Sequence, residues 1–187
     1  PSDANFGNRD RDLYEEDIYV GYRYFETAAK ERVRYPFGFG LSYTDFRIWD
    51  VSFSAGEKDA EITFTVQNIG TVPGKEVVQV YVTAPEGALS KPEKVLAGFA
   101  KTRELKPGLK EQMRIAIPYE SFASYDETGT SGFASSYILE KGEYLFHIGR
   151  NVRETEVAGS FTLEETVCLA SLSQALAPVT PFERMRF

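Results

Sequence analysis

From Phe46 onward apolar and polar residues alternate with a period of two, the pattern of strands that bury one face. Phe46, Ile48, Val51 and Phe53 mark the first run, and the extra step between Ile48 and Val51 predicts a bulge around Trp49. Ile62, Phe64 and Val66 alternate with Thr63, Thr65 and Gln67; Val78, Val80 and Val82 alternate with Gln79, Tyr81 and Thr83. Val95 to Phe99, Met113-Ile115-Ile117, Tyr137-Leu139, Tyr144-Phe146-Ile148 and Val157-Phe161-Leu163 continue the series. Turn chemistry separates the runs, at Asn68-Ile69-Gly70, Pro73-Gly74, Pro85-Glu86-Gly87, Pro107-Gly108, Thr128-Gly129 and Lys141-Gly142. About seven short strands at this spacing, without a long amphipathic helix, predict an all-β antiparallel two-sheet sandwich. Residues 121–125 are expected to form one helical turn between the sheets.

The two ends break this texture. Asn8-Arg9-Asp10-Arg11-Asp12 is a charge alternation expected in a solvated loop. From Tyr14 to Phe25 aromatics and acids mix with neither helical nor strand period. In Tyr35-Pro36-Phe37-Gly38-Phe39-Gly40-Leu41-Ser42-Tyr43 a proline and two glycines exclude a helix interior while the aromatics demand burial. The prediction is an extended N-terminal strap lying over another domain, with little to pack on in its own chain. Residues 169–176 carry helix formers, and Pro178 and Pro181 stop them, so a short C-terminal helical tail is expected. The resulting division is a strap over 1–45, a sandwich over 46–164 and a linker or tail over 165–187.

Composition narrows the function. The 187 residues suit one good core with appendages. The 21 basic residues against 28 acidic, net −7 and without a basic block, argue against nucleic acid as a partner. No apolar run approaches the roughly 20 residues of a membrane helix, so no membrane partner is expected. The lone Cys168 rules out an internal disulfide and leaves the redox compartment open. The chain opens at Pro1 with neither an initiator methionine nor a leader-like stretch, as an internal piece of a longer polypeptide would.

Three segments carry a family resemblance. Tyr14-Glu15-Glu16-Asp17-Ile18-Tyr19-Val20-Gly21-Tyr22-Arg23-Tyr24-Phe25 is similar to a stretch near the end of the second domain of family 3 glycoside hydrolases. Tyr35 to Thr44 resembles that family's aromatic, glycine-punctuated strap. Asn68-Ile69-Gly70 with Gly74-Lys75-Glu76-Val77-Val78-Gln79-Val80-Tyr81-Val82 resembles a hairpin of its immunoglobulin-like, fibronectin type III-like domain, and Leu96-Ala97-Gly98-Phe99 and Gly142-Glu143-Tyr144 fit the same pattern. The resemblance implies a parent β-glucosidase-like enzyme that hydrolyses carbohydrate with retention. That chemistry uses a nucleophile and an acid/base carboxylate about 5–5.5 Å apart. In the family the nucleophilic aspartate lies in a barrel domain within a Ser-Asp-Trp-like motif. Here the single Trp49 follows Ile48, so that motif is missing. The acid/base glutamate comes from sequence upstream of the strap. No catalytic, metal-binding or cofactor-binding residue is therefore assigned, and no cofactor is expected. The expected partners are the catalytic domains of the same polypeptide and the carbohydrate substrate of the parent. The tail resembles a linker in members whose barrel follows the sandwich.

Other candidates have plainer readings. Glu15, Glu16 and Asp17 are expected to pair with arginines or face water, and Glu16 and Arg23 to contact the preceding domain. His147, the only histidine, excludes His-based metal clusters and is expected on the sheet surface. Cys168, between Val167 and Leu169, is expected to be buried and inert. Trp49, Tyr81, Tyr119, Tyr125 and Tyr137 are chemically able to stack on sugar rings. Core and interdomain packing is the favoured use of such residues, and Trp49 is expected at the strap junction. An autonomous carbohydrate-binding or interaction module is the alternative function.

Overall fold

The structure is a computed structural model describing residue 10 and residues 13–175, 177–180 and 182–187. Except for Asp10, the charge alternation at 8–12 lies outside the described residues, as do Leu176 and Pro181. The strands are β1 (Phe46–Ala55), β2 (Asp59–Asn68), β3 (Val77–Thr83), β4 (Val95–Lys101), β5 (Lys110–Pro118), β6 (Ser124–Asp126), β7 (Ser136–Leu139), β8 (Gly142–Gly149), β9 (Thr155–Leu163) and β10 (Val167–Ser171). They form antiparallel sheets ordered β1-β2-β5, β4-β3-β8-β9 and β10-β7-β6. The register of β1 against β2 shifts between Trp49 and Ser52, with Asp50 at φ 57°, where alternation predicted the bulge.

The alternating apolar sets meet between the first two sheets. Ile62, Phe64 and Val66 from β2, Val78, Val80 and Val82 from β3, and Tyr144, Phe146 and Ile148 from β8 join Phe46, Ile115 and Ile117 in one buried cluster. Each such side chain contributes roughly 1.5–3 kcal/mol by leaving water. Gly98 in β4 lets the sheets approach, since a Cβ there would lie 2.8 Å from the Ile115 side chain.

Three elements differ from the sequence expectation. The strap is not wholly extended, because Tyr22–Ala28 forms helix α1. Its mixed pattern arises because it is covered by the sandwich on one side while Tyr14 and Val20 stay exposed. Among the described residues of the tail no helix forms, and Val167–Ser171 is strand β10 on the edge of β7. Eight residues with helix propensity fall short of the roughly 12–15 an isolated helix needs, whereas the β7 edge offers partners for the same backbone groups. Between β5 and β7 the helical turn is a 3-10 turn at Tyr119–Phe122, and the short strand β6 follows it.

Candidate functional site

Strand β3 places the strap. Val78, Val80 and Val82 enter the core, so Gln79, Tyr81 and Thr83 must face outward. Yet Tyr81 is 0% exposed, because the strap covers that outer face. The Tyr22 ring stacks on Phe37 at 4.4 Å and meets Tyr81 edge-on at 6.2 Å. The Leu96 N–H donates to the Tyr22 hydroxyl oxygen at 2.8 Å, and Val152 N–H donates to Phe37 O at 3.0 Å. The Tyr81 hydroxyl donates to the Gln79 side-chain oxygen, whose amide nitrogen donates to Arg150 O at 2.6 Å. Burial pushes the Tyr81 phenol well above its ordinary range. Gly38 crosses above Gln79 at φ 85°, and a Cβ there would meet the Gln79 side chain at 2.3 Å. A larger residue there is strained by the backbone and must displace the Gln79 amide from its bonds.

Polar contacts lock the helix end of the strap. Buried Glu26 accepts two bonds of 3.0 Å from Arg153 Nε, and Arg153 also donates to Lys30 O at 2.9 Å. Lys30 pairs with Glu93 at 2.6 Å, and Glu93 N–H donates to the Thr27 hydroxyl at 3.0 Å. Tyr19 is buried and donates to Lys91 O at 3.4 Å. Lys91 in turn pairs with buried Glu140, which also accepts from Ala88 N–H at 2.7 Å and Leu89 N–H at 3.3 Å. The 88–92 loop is thereby fixed between strap and sandwich.

The remaining strap aromatics are left open. Tyr35 and Phe39 lie 4.9 Å apart, centre to centre, but both stay exposed, Leu41 is 92% exposed and Tyr43 is fully so.

A cleft of about 1130 Å³ opens between the strap, the 88–92 loop, the β6–β7 ribbon and the C-terminal tail. Asp17, Arg23, Lys91, Tyr125, Tyr137 and Arg184 are among its lining residues. Arg184 spans it, reaching Glu127 at 2.7 Å and Asp17 at 3.4 Å, while Met185 N–H donates to Glu15 O at 2.7 Å. The Phe187 ring meets Tyr19 at 4.8 Å. Asp126 fixes the adjoining loop by accepting from Gly129, Thr130 and Ser131 N–H groups and the Ser131 hydroxyl, at 2.6–3.0 Å. Burial pushes its carboxyl up, but these donors outweigh that and hold it below the usual range.

The singled-out residues scatter. Asp17 takes the arginine partner expected of it, while Glu16 is half-buried. His147 departs from expectation: it lies on the outer face of β8 but is half-buried, its Nε2 3.0 Å from the Thr83 hydroxyl. Burial, reinforced by nearby Lys94, lowers its pKa to about 4. Cys168 is half-buried in β10, with Sγ 3.5 Å from Ser171 Oγ. Trp49 faces outward from β1, flanked by the Lys110 ammonium at 5.5 Å and the Arg47 guanidinium at 6.0 Å. Its Nε1 is buried without a hydrogen-bond partner among the described residues. Tyr119 packs against Phe161 at 5.1 Å and donates to Gly56 O at 2.8 Å. Tyr125 and Tyr137 stay half-open, 40% and 42% exposed. Sequence reasoning missed Glu140 and its loop, since Glu140-Lys141-Gly142 carries only a turn signal. Among the described residues no group of three His, Cys, Asp or Glu side chains is placed to hold a metal. Among them, too, no helix is long and apolar enough to cross a membrane.

Residues 76–152 match the family described as fibronectin type III-like domain. The chain is 50% identical over 188 residues to a β-glucosidase of Ruminococcus albus, covering 99% of this chain and 19% of that protein. It is 45% identical to β-glucosidase A of Butyrivibrio fibrisolvens, covering 92% of this chain and 23% of that one. The solved structure of a β-glucosidase from Paenibacillus barengoltzii superposes with TM-score 0.93 at 43% identity, covering 100% of this chain and 21% of that one. The chain thus spans about a fifth of the length of these relatives, in which the matching region is one part of a longer polypeptide.

Proposed function

Because this chain carries the fibronectin type III-like domain of the family 3 β-glucosidases, we propose that it is a non-catalytic brace within a longer retaining β-glycosidase acting on carbohydrate. The observation that carries this reading is the open half of the strap. Tyr35, Phe39, Leu41 and Tyr43 are exposed within nine residues of chain, next to a docked half that is closely packed. An exposed apolar patch of this kind marks an interaction site, and the occupant at hand is the rest of the polypeptide, which in the relatives is about four-fifths of the molecule.

In this reading residues 1–45 continue from the end of a preceding α/β domain and residues 46–164 are the sandwich. Residues 165–187 lead towards a catalytic barrel, their first strand still paired to β7. The docked half of the strap sets the orientation of the sandwich, and the open half supplies the apolar contact with the catalytic domains. The test is turnover. The purified 187-residue chain is expected to release no aryl alcohol from an aryl β-glucoside; measurable hydrolysis by it would overturn the proposal.

A further inference from the structure

The β10-β7-β6 ribbon turns Ile138 and Ser136 inward, both essentially unexposed. Tyr125 and Tyr137 stand directly opposite each other across β6 and β7. They share the other face, with centroids 5.3 Å apart and planes at 55°. Each ring has the other as its aromatic neighbour, and together they form a bent apolar shelf lining the cleft.

The shelf is held by parts that do not depend on a ligand. Asp126, next to Tyr125 in sequence, gathers four donors and freezes the loop that presents Glu127, Thr128 and Thr130 to the cleft. Across from it the Glu140 carboxylate freezes the 88–92 loop. The Gln174 amide donates to Glu127 O at 2.7 Å and brings the tail alongside. The cleft thus combines aromatic faces with hydroxyl, amide, carboxylate and guanidinium groups on a preorganised frame, the mix that a mostly apolar site with a few placed polar groups uses for orientation.

The chemistry selects the ligand class. Carboxylates at Asp17, Glu127 and Glu183 disfavour nucleic acid, and interleaved Arg23, Lys91 and Arg184 disfavour a run of either charge sign. An amphipathic helix needs a continuous apolar groove, which these charges interrupt. A neutral oligosaccharide meets both demands, with C–H faces for the tyrosines and hydroxyls for the rim. We propose that this cleft binds a neutral oligosaccharide, the sugar stacking on Tyr125 and Tyr137. The proposal extends the brace reading by giving this region a ligand site of its own.

Calorimetric titration of the 187-residue chain with cellotetraose, and separately with xylotetraose, tests it. Saturable binding is expected for at least one of them. Tyr125→Ala and Tyr137→Ala should each weaken it by about tenfold, Tyr125→Phe should preserve it, and Trp49→Ala in β1, outside the cleft lining, should leave it unchanged. Circular dichroism establishes that the variants are folded. No saturable heat with either sugar, or binding indifferent to both alanine substitutions, overturns the proposal. Self-association that disappears in the alanine variants, without sugar binding, overturns it in favour of a second copy of the chain. These failures leave the brace reading standing, whereas glycoside turnover by the chain removes that reading whatever the titration shows.

Discussion

The two halves of the strap are built from the same kinds of residue and meet opposite fates. Tyr19, Tyr22 and Glu26 are drawn onto the sandwich, while Tyr35, Phe39, Leu41 and Tyr43 stay in solvent. Aromatic content does not separate them. What separates them is the surface each one meets: the docked half finds Tyr81, Lys91 and Arg153, which satisfy both its rings and its polar atoms. The open half flanks the point where Gly38 crosses Gln79, and the rings of Tyr35, Phe39 and Tyr43 lie off that surface. Burial of an aromatic segment is therefore a property of the pair of surfaces, and an unpartnered half is evidence for a partner.

The largest test of the contrast lies in the docked half. Tyr19→Ala removes a fully buried ring and should cost about 3–5 kcal/mol, the range for large aromatic truncations, read as a lower urea midpoint. A loss below about 0.5 kcal/mol, the level of an ordinary surface change, would mean that this half is no better held than the open one.

At the crossing point, Gly38→Ala forces a left-handed residue against Gln79 and should cost about 1–2 kcal/mol or more. An unchanged midpoint would show that the strap passes Gln79 at greater distance.

His147 reports on the same covered face. Its folded pKa, about 4, lies below the unfolded value, near 6.5. The unfolded chain therefore takes up a proton that the folded one refuses, and stability present above pH ~6.5 drains away as pH falls towards 4. His147→Gln should flatten the decline between pH 6.5 and 5, above the range where most carboxylates titrate. Thr83, Lys94 and Glu93 surround the ring. In Tyr19→Ala, an NMR titration of His147 returning towards its ordinary value would show that the strap had lifted.

The smallest effect is expected in the open half. Tyr43→Ser should change the stability of this chain by no more than about 0.5 kcal/mol. A markedly larger loss would mean that the open half packs on its own sandwich after all.

Much of the fold was legible as period-two alternation. The runs around Ile62, Val78, Val95, Ile115, Tyr144 and Val157 became strands, and the interrupted alternation at Trp49 became a bulge. Period two reports which side chains share a face, and one face of each sandwich strand must be apolar. The same signal is silent about what covers the second face, so His147 looked exposed and the partner that buries Tyr81 could not be named.

The candidate cleft was less legible, because its parts come from distant stretches. Glu140 reaches back 49 residues to Lys91, and Arg184 reaches 167 residues to Asp17. A lone glutamate or arginine carries no mark of such a partner. Tyr125 and Tyr137 stood out individually as aromatics, but only strand register made them a pair.

The sequence by itself determined an all-β sandwich, the places of most strands and turns, and, through its aromatic strap, a kinship with family 3 glycosidases. Only the tertiary structure decided that residues 167–171 pair as a strand, that residues 22–28 coil into a helix, and that half the strap docks while half stays open. Local pattern specifies which residues prefer to leave water. The surface that receives them is assembled from segments far apart in the chain.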